Sequence, residues 1–172
     1  MKKLLFLLTT LLLTSCSNNV ETNATVGEWY RGDLMGKSFK LGEQKNIELI
    51  KKAGQYYNDM DAENLVSFFE EDAKIYSYQG DELTADLELY ESYFASLDSL
   101  VWTPHGMSTQ TLEDNSIAVV SIPSTIQLYP KDSEPEESYL FERFWIVDGK
   151  ISTIVQYRRE FPTNYDEILL LD

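Results

Sequence analysis

The amino-acid sequence predicts an α+β fold in which helices lie on one face of a curved antiparallel sheet. Two patterns in the sequence indicate this class. Between residues 45 and 97, apolar residues recur at intervals of three and four, the spacing of amphipathic helices. Between residues 101 and 160, four segments are rich in β-branched and aromatic residues. Helical patterns followed by a run of strands are typical of helices packed on one sheet, and the 157 residues from Cys16 onward suffice for one core.

The N-terminal segment is interpreted as a bacterial lipoprotein signal peptide. Met1–Lys3 is positively charged, and Leu4–Leu13 is apolar but too short to span a membrane. The following Leu13-Thr14-Ser15-Cys16 resembles a lipobox. We therefore expect residues 1–15 to be cleaved and Cys16 to carry palmitate and related acyl chains, which anchor a protein stably when two or more are present. Ser17, instead of Asp, favours the outer membrane of the cell envelope.

Cysteine count and charge exclude several classes of function. Cys16 is the only cysteine, so the folded domain has neither a disulfide nor a catalytic thiol. The net charge is −15, and loss of Lys2 and Lys3 with the signal peptide makes it −17. Nucleic-acid binding is not expected, because it depends on clustered Lys and Arg. The acidic residues are dispersed and there is one histidine, so the sequence predicts no metal site and no cofactor.

The first elements follow from composition and spacing. Residues 16–44 are rich in Ser, Asn, Thr and Gly without an apolar period, and we interpret them as the lipidated N-terminus and a flexible tether whose aromatic second half touches the domain. A helix is predicted from Lys45. Asp61 is expected to cap a second, shorter helix that continues through Phe69 and ends at Asp72, and a strand follows from Ile75 to Tyr78.

Thr84 is expected to begin the third helix. Four strands follow, over residues 101–112, 117–129, 139–147 and 151–160. Asp148-Gly149 predicts a two-residue hairpin turn with positive φ between the last two strands. Residues 161–172 form a C-terminal tail outside the predicted domain, which covers residues 45–160.

The run Asp59–Leu65 leading into Phe68-Phe69, together with the closing segment Phe144–Ile151, resembles the nuclear-transport-factor-2-like superfamily, in particular its SnoaL-like branch. This resemblance implies a cone-shaped sheet of cystatin-like topology wrapped around the N-terminal helices, an open-ended pocket, and often a dimer formed through the sheet. It implies no single function, because the family includes isomerases, cyclases, dehydratases, hydrolases and binding domains.

The hairpin turn predicts which residues share each face of the last two strands. The more apolar face, assigned to the pocket, carries Glu142 with Phe144, Thr153 and Tyr157. The opposite face is predicted to form a homodimer contact, with partial exposure as the alternative, and carries Phe141, Arg143, Trp145 and Arg158.

The candidate acid–base residues are Glu142 and His105. An apolar setting raises the pKa of a carboxyl group, which suits a general acid or base, although Glu142 could also lie at a hydrated rim or bond a core tyrosine. His105 is the only histidine, and a lone histidine on a strand is more often structural or exposed than catalytic. Tyr57 and Tyr157 are candidate hydrogen-bond donors, and the predicted pocket comprises Tyr57, Trp102, His105, Phe144, Thr153 and Tyr157.

Ser77 stands where the resemblance would place the catalytic aspartate of a ketosteroid isomerase, and serine cannot accept a proton from carbon at neutral pH. The sequence therefore favours a membrane-anchored lipoprotein whose domain binds a small hydrophobic ligand, or a partner, without catalysis. The alternative is a cofactor-independent isomerase, dehydratase or hydrolase that uses Glu142 or His105 as general acid or base.

Overall fold

The structure is a computed structural model that describes residues 24–159. The predictions for the signal peptide, Cys16 and the C-terminal tail concern residues outside this range. The helices are α1 (Gln44–Asn58), α2 (Ala62–Val66) and α3 (Leu87–Ala95), and a 3₁₀ helix spans Gly32–Leu34. The strands are β1 (Thr25–Glu28), β2 (Ser38–Leu41), β3 (Phe69–Tyr76), β4 (Glu82–Thr84), β5 (Leu97–Pro104), β6 (Ser108–Leu112), β7 (Ala118–Pro130), β8 (Glu136–Val147) and β9 (Lys150–Arg159).

The strands form one curved sheet in the order β1-β2-β6-β7-β8-β9-β3-β4, and β5 also pairs with β7. The predicted α+β class is confirmed. Neighbouring strands are antiparallel except β3 and β9, which pair in parallel. A parallel pair needs a long connection, and the segment from β4 to β8 provides it.

The predicted strand over residues 101–112 is divided into β5 and β6, and the long strand β7 explains this division. Its first residues, Ala118–Ser121, pair with β6, whereas Ser124–Pro130 pair with β5. The predicted strand 101–112 therefore breaks at residues 105–107, where the chain passes from one half of β7 to the other. The amide of His105 still donates to the carbonyl of Pro123 across this corner, 2.8 Å away.

The helices pack against the inner face of the sheet and close one hydrophobic core. Ile50 of α1, Leu65 of α2 and Phe94 of α3 meet Val120 and Ile151 from the sheet, and all five side chains are buried. Each fully buried aliphatic or aromatic side chain contributes about 1.5–3 kcal/mol. Among the described helices, none is long and apolar enough to cross a membrane.

Local details differ from the sequence prediction around α2 and α3. Asp61 caps α2 as predicted, since its carboxylate accepts from the Asn64 amide at 3.1 Å. The helix nevertheless ends at Val66, and Phe69 already begins β3, where it pairs with Ile151 of β9. The N-cap of α3 is Asp86, whose side chain accepts from Leu89 at 2.8 Å, and Thr84 is instead the last residue of β4.

The described part of the predicted tether, residues 24–44, contributes to the sheet. Strand β2 pairs with β6, and Phe39 packs into a second buried cluster with Leu112 and Val119. Trp29 covers this cluster and meets the Trp145 ring with centroids 5.2 Å apart. The sheet thus begins well before residue 45. Strand β2 covers the edge of β6, whose apolar residues would otherwise be exposed.

The last hairpin has the predicted turn but an irregular register. Asp148 and Gly149 adopt φ of 47° and 78°, and Val147 pairs with Lys150. Beyond Ile151, however, Ser152 is an extra residue, since Trp145 pairs with Thr153. Such a β-bulge reverses the faces of every residue that follows it in β9.

Candidate functional site

A cavity of about 330 Å³ lies between the helices and the inner face of the sheet. Its size falls at the lower end of the range for small-molecule sites. Most of its wall is apolar, with Ile50, Ala53 and Leu140 among the aliphatic residues. Aromatic side chains form a large share of the remainder: Tyr57, Phe69, Tyr78, Tyr90, Tyr93, Trp102 and Phe144.

Glu142 is the buried acidic residue of this cavity, with 4% of its surface exposed. It points inward because β8 alternates regularly, which also buries Leu140, Phe144 and Ile146 on the same face. The prediction that Glu142 lies in apolar surroundings agrees with this geometry. The alternative of a hydrated rim does not.

Three neutral side chains donate hydrogen bonds to the Glu142 carboxyl group. The Trp102 indole Nε1 and the Ser124 hydroxyl reach Oε2 at 2.8 and 3.0 Å, and the Gln156 amide reaches Oε1 at 3.0 Å. Burial raises the pKa of Glu142, and the three donors only partly offset this effect because each favours the ionised form. The result is a carboxyl group held in a fixed orientation with its proton affinity increased.

Helix α1 holds Trp102 in place. The Asn58 side chain accepts from the Trp102 amide at 2.6 Å and donates to its carbonyl at 3.0 Å. One turn earlier, Gly54 lies against the indole, so that a Cβ atom built on Gly54 would collide with that ring. An Asn at the end of a helix and a Gly within it are common in helices that hold no aromatic ring, so the sequence did not predict these contacts.

Two tyrosine hydroxyl groups meet at the helical side of the cavity. Tyr57 of α1 donates to Tyr93 of α3 at 3.3 Å. Burial is the main cause that raises the pKa of both phenols, so both remain neutral at physiological pH. Tyr57 is thus placed in the cavity as predicted, where it can exchange hydrogen bonds with a bound molecule.

A cationic residue, Arg158, lies at the mouth of the cavity. Its guanidinium donates to the Tyr78 hydroxyl at 2.9 Å, lies over that ring at 5.0 Å, and pairs with Glu136 at 3.6 Å. Arg158 therefore already has an acidic partner and a hydrogen-bond acceptor at the rim of the cavity.

The bulge at Ser152 overturns part of the predicted pocket. Thr153 and Tyr157 pair with Trp145 and Phe141 on the outer face, where Tyr157 is 57% exposed, so neither lines the cavity. The predictions that these two residues neighbour Glu142 are wrong. Gln156 takes that place because the extra residue shifts the inward positions of β9 to Ile154, Gln156 and Arg158.

His105 also lies outside the cavity. It is exposed at the corner between β5 and β6, where its Nε2 lies 2.7 Å from the Thr125 hydroxyl and its ring contacts Tyr139. Glu142 and His105 therefore do not converge, which contradicts their use in one catalytic site. Trp102 and Phe144 do line the cavity, as predicted.

The predicted dimer surface is divided between two faces. Phe141 and Arg143 lie on the outer face, and Trp145 is partly buried and packs edge to face with Trp29 of the same chain. Arg143 lies 5.5 Å from the Trp29 ring. Arg158 faces the cavity mouth instead, again because of the bulge. A homodimer through the outer face stays a prediction.

Comparisons with known proteins identify the fold. No family model matches the chain, and no curated protein matches it. Among solved structures, an uncharacterised Caulobacter vibrioides protein with a cystatin-like fold is 12% identical, covers 72% of this chain and 94% of its own, and gives a TM-score of 0.58.

Two further structures are similar to the same extent. A putative scytalone dehydratase from Novosphingobium aromaticivorans is 13% identical, with 68% and 84% coverage and a TM-score of 0.55. An epoxide hydrolase from M. tuberculosis is 10% identical, with 67% and 84% coverage and a TM-score of 0.54. At these identities the similarities show a shared fold alone, and that fold is the cystatin-like one expected from the sequence.

Proposed function

We propose that this protein binds a small, mainly apolar ligand in the cavity, with Glu142 as the polar anchor. The observation that carries the proposal is a buried carboxyl group oriented by three donors inside an aromatic cavity. Apolar walls supply affinity, since each 100 Å² of apolar surface buried is worth about 2.5 kcal/mol. A few oriented polar groups supply specificity.

Native mass spectrometry of the protein purified from its own host tests this proposal. We expect a retained small molecule on the unaltered chain. Ala53→Phe places a ring in the cavity and should remove the ligand, whereas Ala95→Phe makes the same change at an exposed position of α3 and should retain it. Equal ligand occupancy in both variants would contradict binding in the cavity.

A second candidate function is acid–base catalysis by Glu142. Burial raises the pKa of Glu142 towards neutral pH, where a general acid or base is most effective. Tyr57 could donate a hydrogen bond to a developing oxyanion. A dehydratase and an epoxide hydrolase among the similar structures support this candidate through their fold. His105 is no longer a candidate, because it lies outside the cavity.

The retained ligand distinguishes the two functions. If Glu142 is catalytic, incubation of the unaltered protein with that ligand should yield a product of different mass or structure, and Glu142→Gln should leave it unconverted. Binding without conversion by either protein would support the ligand-binding function alone. The readout is mass spectrometry with NMR of the extracted molecule.

We further propose that Cys16 anchors the protein to the bacterial outer membrane through its acyl chains. This proposal rests on the signal-peptide pattern, and Cys16 lies outside the described residues. Detergent-phase partitioning should recover the unaltered chain and the Ser17→Ala variant in the detergent phase. The Cys16→Ala variant should be recovered in the aqueous phase. A Cys16→Ala chain that stays fully membrane-bound would contradict the anchor.

A further inference from the structure

We propose that the ligand is an apolar amine, bound as its ammonium cation against Glu142 with its apolar part between the aromatic walls. This inference rests on the proposed ligand-binding function and names the chemical class of the ligand. It follows from the partners that Glu142 has, from the side chains around it, and from the charge of the whole protein.

Glu142 lacks a cationic partner within residues 24–159. The ion pairs found there join other acidic residues to Lys37, Lys45, Lys51, Lys74 and Arg158. The partners of Glu142 are an indole, a hydroxyl and an amide, all neutral. A buried carboxylate without a counter-ion is rare, because desolvation of an unpaired charge is costly. A bound cation would supply the missing charge.

The carboxyl group has room for one more donor. A carboxylate offers about four acceptor positions. Among the described residues, Oε2 accepts from Trp102 and Ser124, whereas Oε1 accepts from Gln156 alone. An ammonium N–H can therefore reach Oε1 without displacing an existing hydrogen bond.

Aromatic rings near Glu142 suit a cation. Burial is the main cause that raises the pKa of Tyr57, Tyr90 and Tyr93, and these phenols also lie close enough that the charge of Glu142 contributes to all three shifts. The face of an aromatic ring attracts an ammonium group by about 0.5–2 kcal/mol, more when water is excluded. Tryptophan attracts cations more strongly than tyrosine or phenylalanine, and the Trp102 indole already contacts the Glu142 carboxyl group.

The charges around the cavity also favour a cation over an anion. The protein has a net charge of −15, which raises the local concentration of cations. Among the described lining residues, Arg158 is the cationic one, and Glu136 and Tyr78 hold it at the mouth. The Arg158 Nε is buried without a hydrogen-bond partner in the described part of the chain, but the guanidinium charge is paired with Glu136, and an anionic ligand would also meet the Glu142 carboxylate inside the cavity.

Calorimetric titration of the whole chain with a matched pair of probes tests the inference. At pH 7.5, 2-phenylethylamine is a cation and 2-phenylethanol is its neutral analogue of almost equal size. We expect the amine to bind at least tenfold more tightly than the alcohol. Glu142→Gln should reduce this ratio to near one, whereas Glu137→Gln, which removes an exposed carboxylate of the same strand, should leave it unchanged.

The pH dependence of the unaltered chain tests the same point without a variant. As the pH falls and Glu142 becomes protonated, the amine should lose its advantage while the alcohol keeps its affinity. Burial keeps the phenols of Tyr57, Tyr90 and Tyr93 neutral in this range, and the other charged groups of the described lining, Glu136 and Arg158, pair with each other at the mouth.

The outcomes separate this inference from the proposed function. Equal or tighter binding of the alcohol would overturn the inference and leave the ligand-binding function supported. A tenfold preference that persists in Glu142→Gln would also overturn it, because the amine would then bind elsewhere. If neither probe binds at millimolar concentration and no ligand is retained by the native protein, both proposals are wrong.

Discussion

At the scale of single residues, Glu142 determines the character of the cavity. Its carboxyl group is shielded from water, which favours the protonated form, while the donors from Trp102, Ser124 and Gln156 favour the ionised form. Burial is the larger effect, and the pKa is raised. The protonation of Glu142 consequently depends on the charge of any molecule that enters the cavity.

A first prediction concerns stability and pH. The folded-state pKa of Glu142 lies above its ordinary value of 4.5. Protonation of Glu142 therefore contributes fully to the free energy of unfolding below pH 4.5, and this contribution is lost as the pH rises through the folded-state pKa. Glu142→Gln should therefore gain stability relative to the unaltered chain as the pH rises from 4.5 to neutrality. Each tenfold change in proton affinity corresponds to about 1.4 kcal/mol.

Urea denaturation at a series of pH values measures this difference. In Glu142→Gln, the new amide oxygen can keep the bonds from Trp102 and Ser124, and the Gln156 amide can rotate to accept from the new amide nitrogen. Glu137→Gln, which removes an exposed carboxylate of the same strand, is the matched control. A Glu142→Gln chain whose relative stability falls with rising pH would show that Glu142 has a lowered pKa.

A second prediction concerns Gly54, which lies against the Trp102 indole. Gly54→Ala forces the ring to move, since its Cβ would collide with the ring. Overpacking costs about 1–3 kcal/mol, which exceeds the roughly 1 kcal/mol that alanine gains over glycine in a helix. We expect a less stable protein with an altered near-ultraviolet circular dichroism signal from Trp102.

The control for this prediction is Gly106→Ala, where nothing lies within 4 Å of the added Cβ. This variant should keep both the stability and the spectrum. A Gly54→Ala protein that is as stable as Gly106→Ala would show that Trp102 is free to shift, and would weaken its role in orienting Glu142.

At the scale of elements, the bulge at Ser152 decides which residues of β9 face the cavity. The hairpin turn alone would place Thr153 and Tyr157 inside and Gln156 outside. One extra residue reverses this arrangement, and it also allows both Ile151 and Ile154 to be buried in the core. Two large apolar side chains three positions apart cannot share one face of a regular strand.

A third prediction tests this element. Insertion of an alanine between Thr153 and Ile154 keeps the bulge but turns Ile154 outward and moves Gln156 away from Glu142, because every following residue of β9 advances by one position. Loss of a buried isoleucine costs about 2–5 kcal/mol, so we expect a strongly destabilised chain in thermal unfolding. Deletion of Ser152 removes the extra residue and leaves Ile154 and Gln156 at their inward positions, so this variant should remain much closer in stability to the unaltered chain. Equal stability of the two variants would mean that the register is not specified by burial.

At the scale of the whole molecule, the sheet has two clusters of buried residues. The larger one contains the helices and the cavity, and the smaller one is built from Phe39, Leu112 and Val119 under Trp29 and Trp145. The smaller cluster depends on residues that precede α1. Residues 24–44 are therefore part of the folded unit.

A fourth prediction follows for a shortened chain. A protein that begins at residue 45 lacks β1 and β2 and exposes Leu112, Val119 and the edge of β6. Removal of a buried phenylalanine alone costs about 3–5 kcal/mol. We expect this chain to aggregate or unfold at lower urea concentration than one beginning at residue 24, measured by circular dichroism and size-exclusion chromatography. Equal midpoints would show that β1 and β2 are dispensable.

The elements whose signals are local could be predicted from the sequence alone. Helical spacing predicted α1, the Asp61 cap predicted the start of α2, and Asp148-Gly149 predicted the turn of the last hairpin. Regular alternation in β8 was sufficient to place Glu142 on the buried face. The resemblance of these segments, taken in order, led to the cystatin-like fold that the similar structures show.

The composition of the cavity, in contrast, depends on tertiary structure. Whether a residue of β9 faces inward depends on pairing with β8 across a bulge that no local pattern marks, so Thr153, Tyr157 and Arg158 were assigned to the wrong faces. His105 lies outside because β5 and β6 pair with different halves of β7, an arrangement set by long-range contacts. Local sequence specifies turns and periods, whereas the faces that meet in three dimensions depend on which strands pair and in which register.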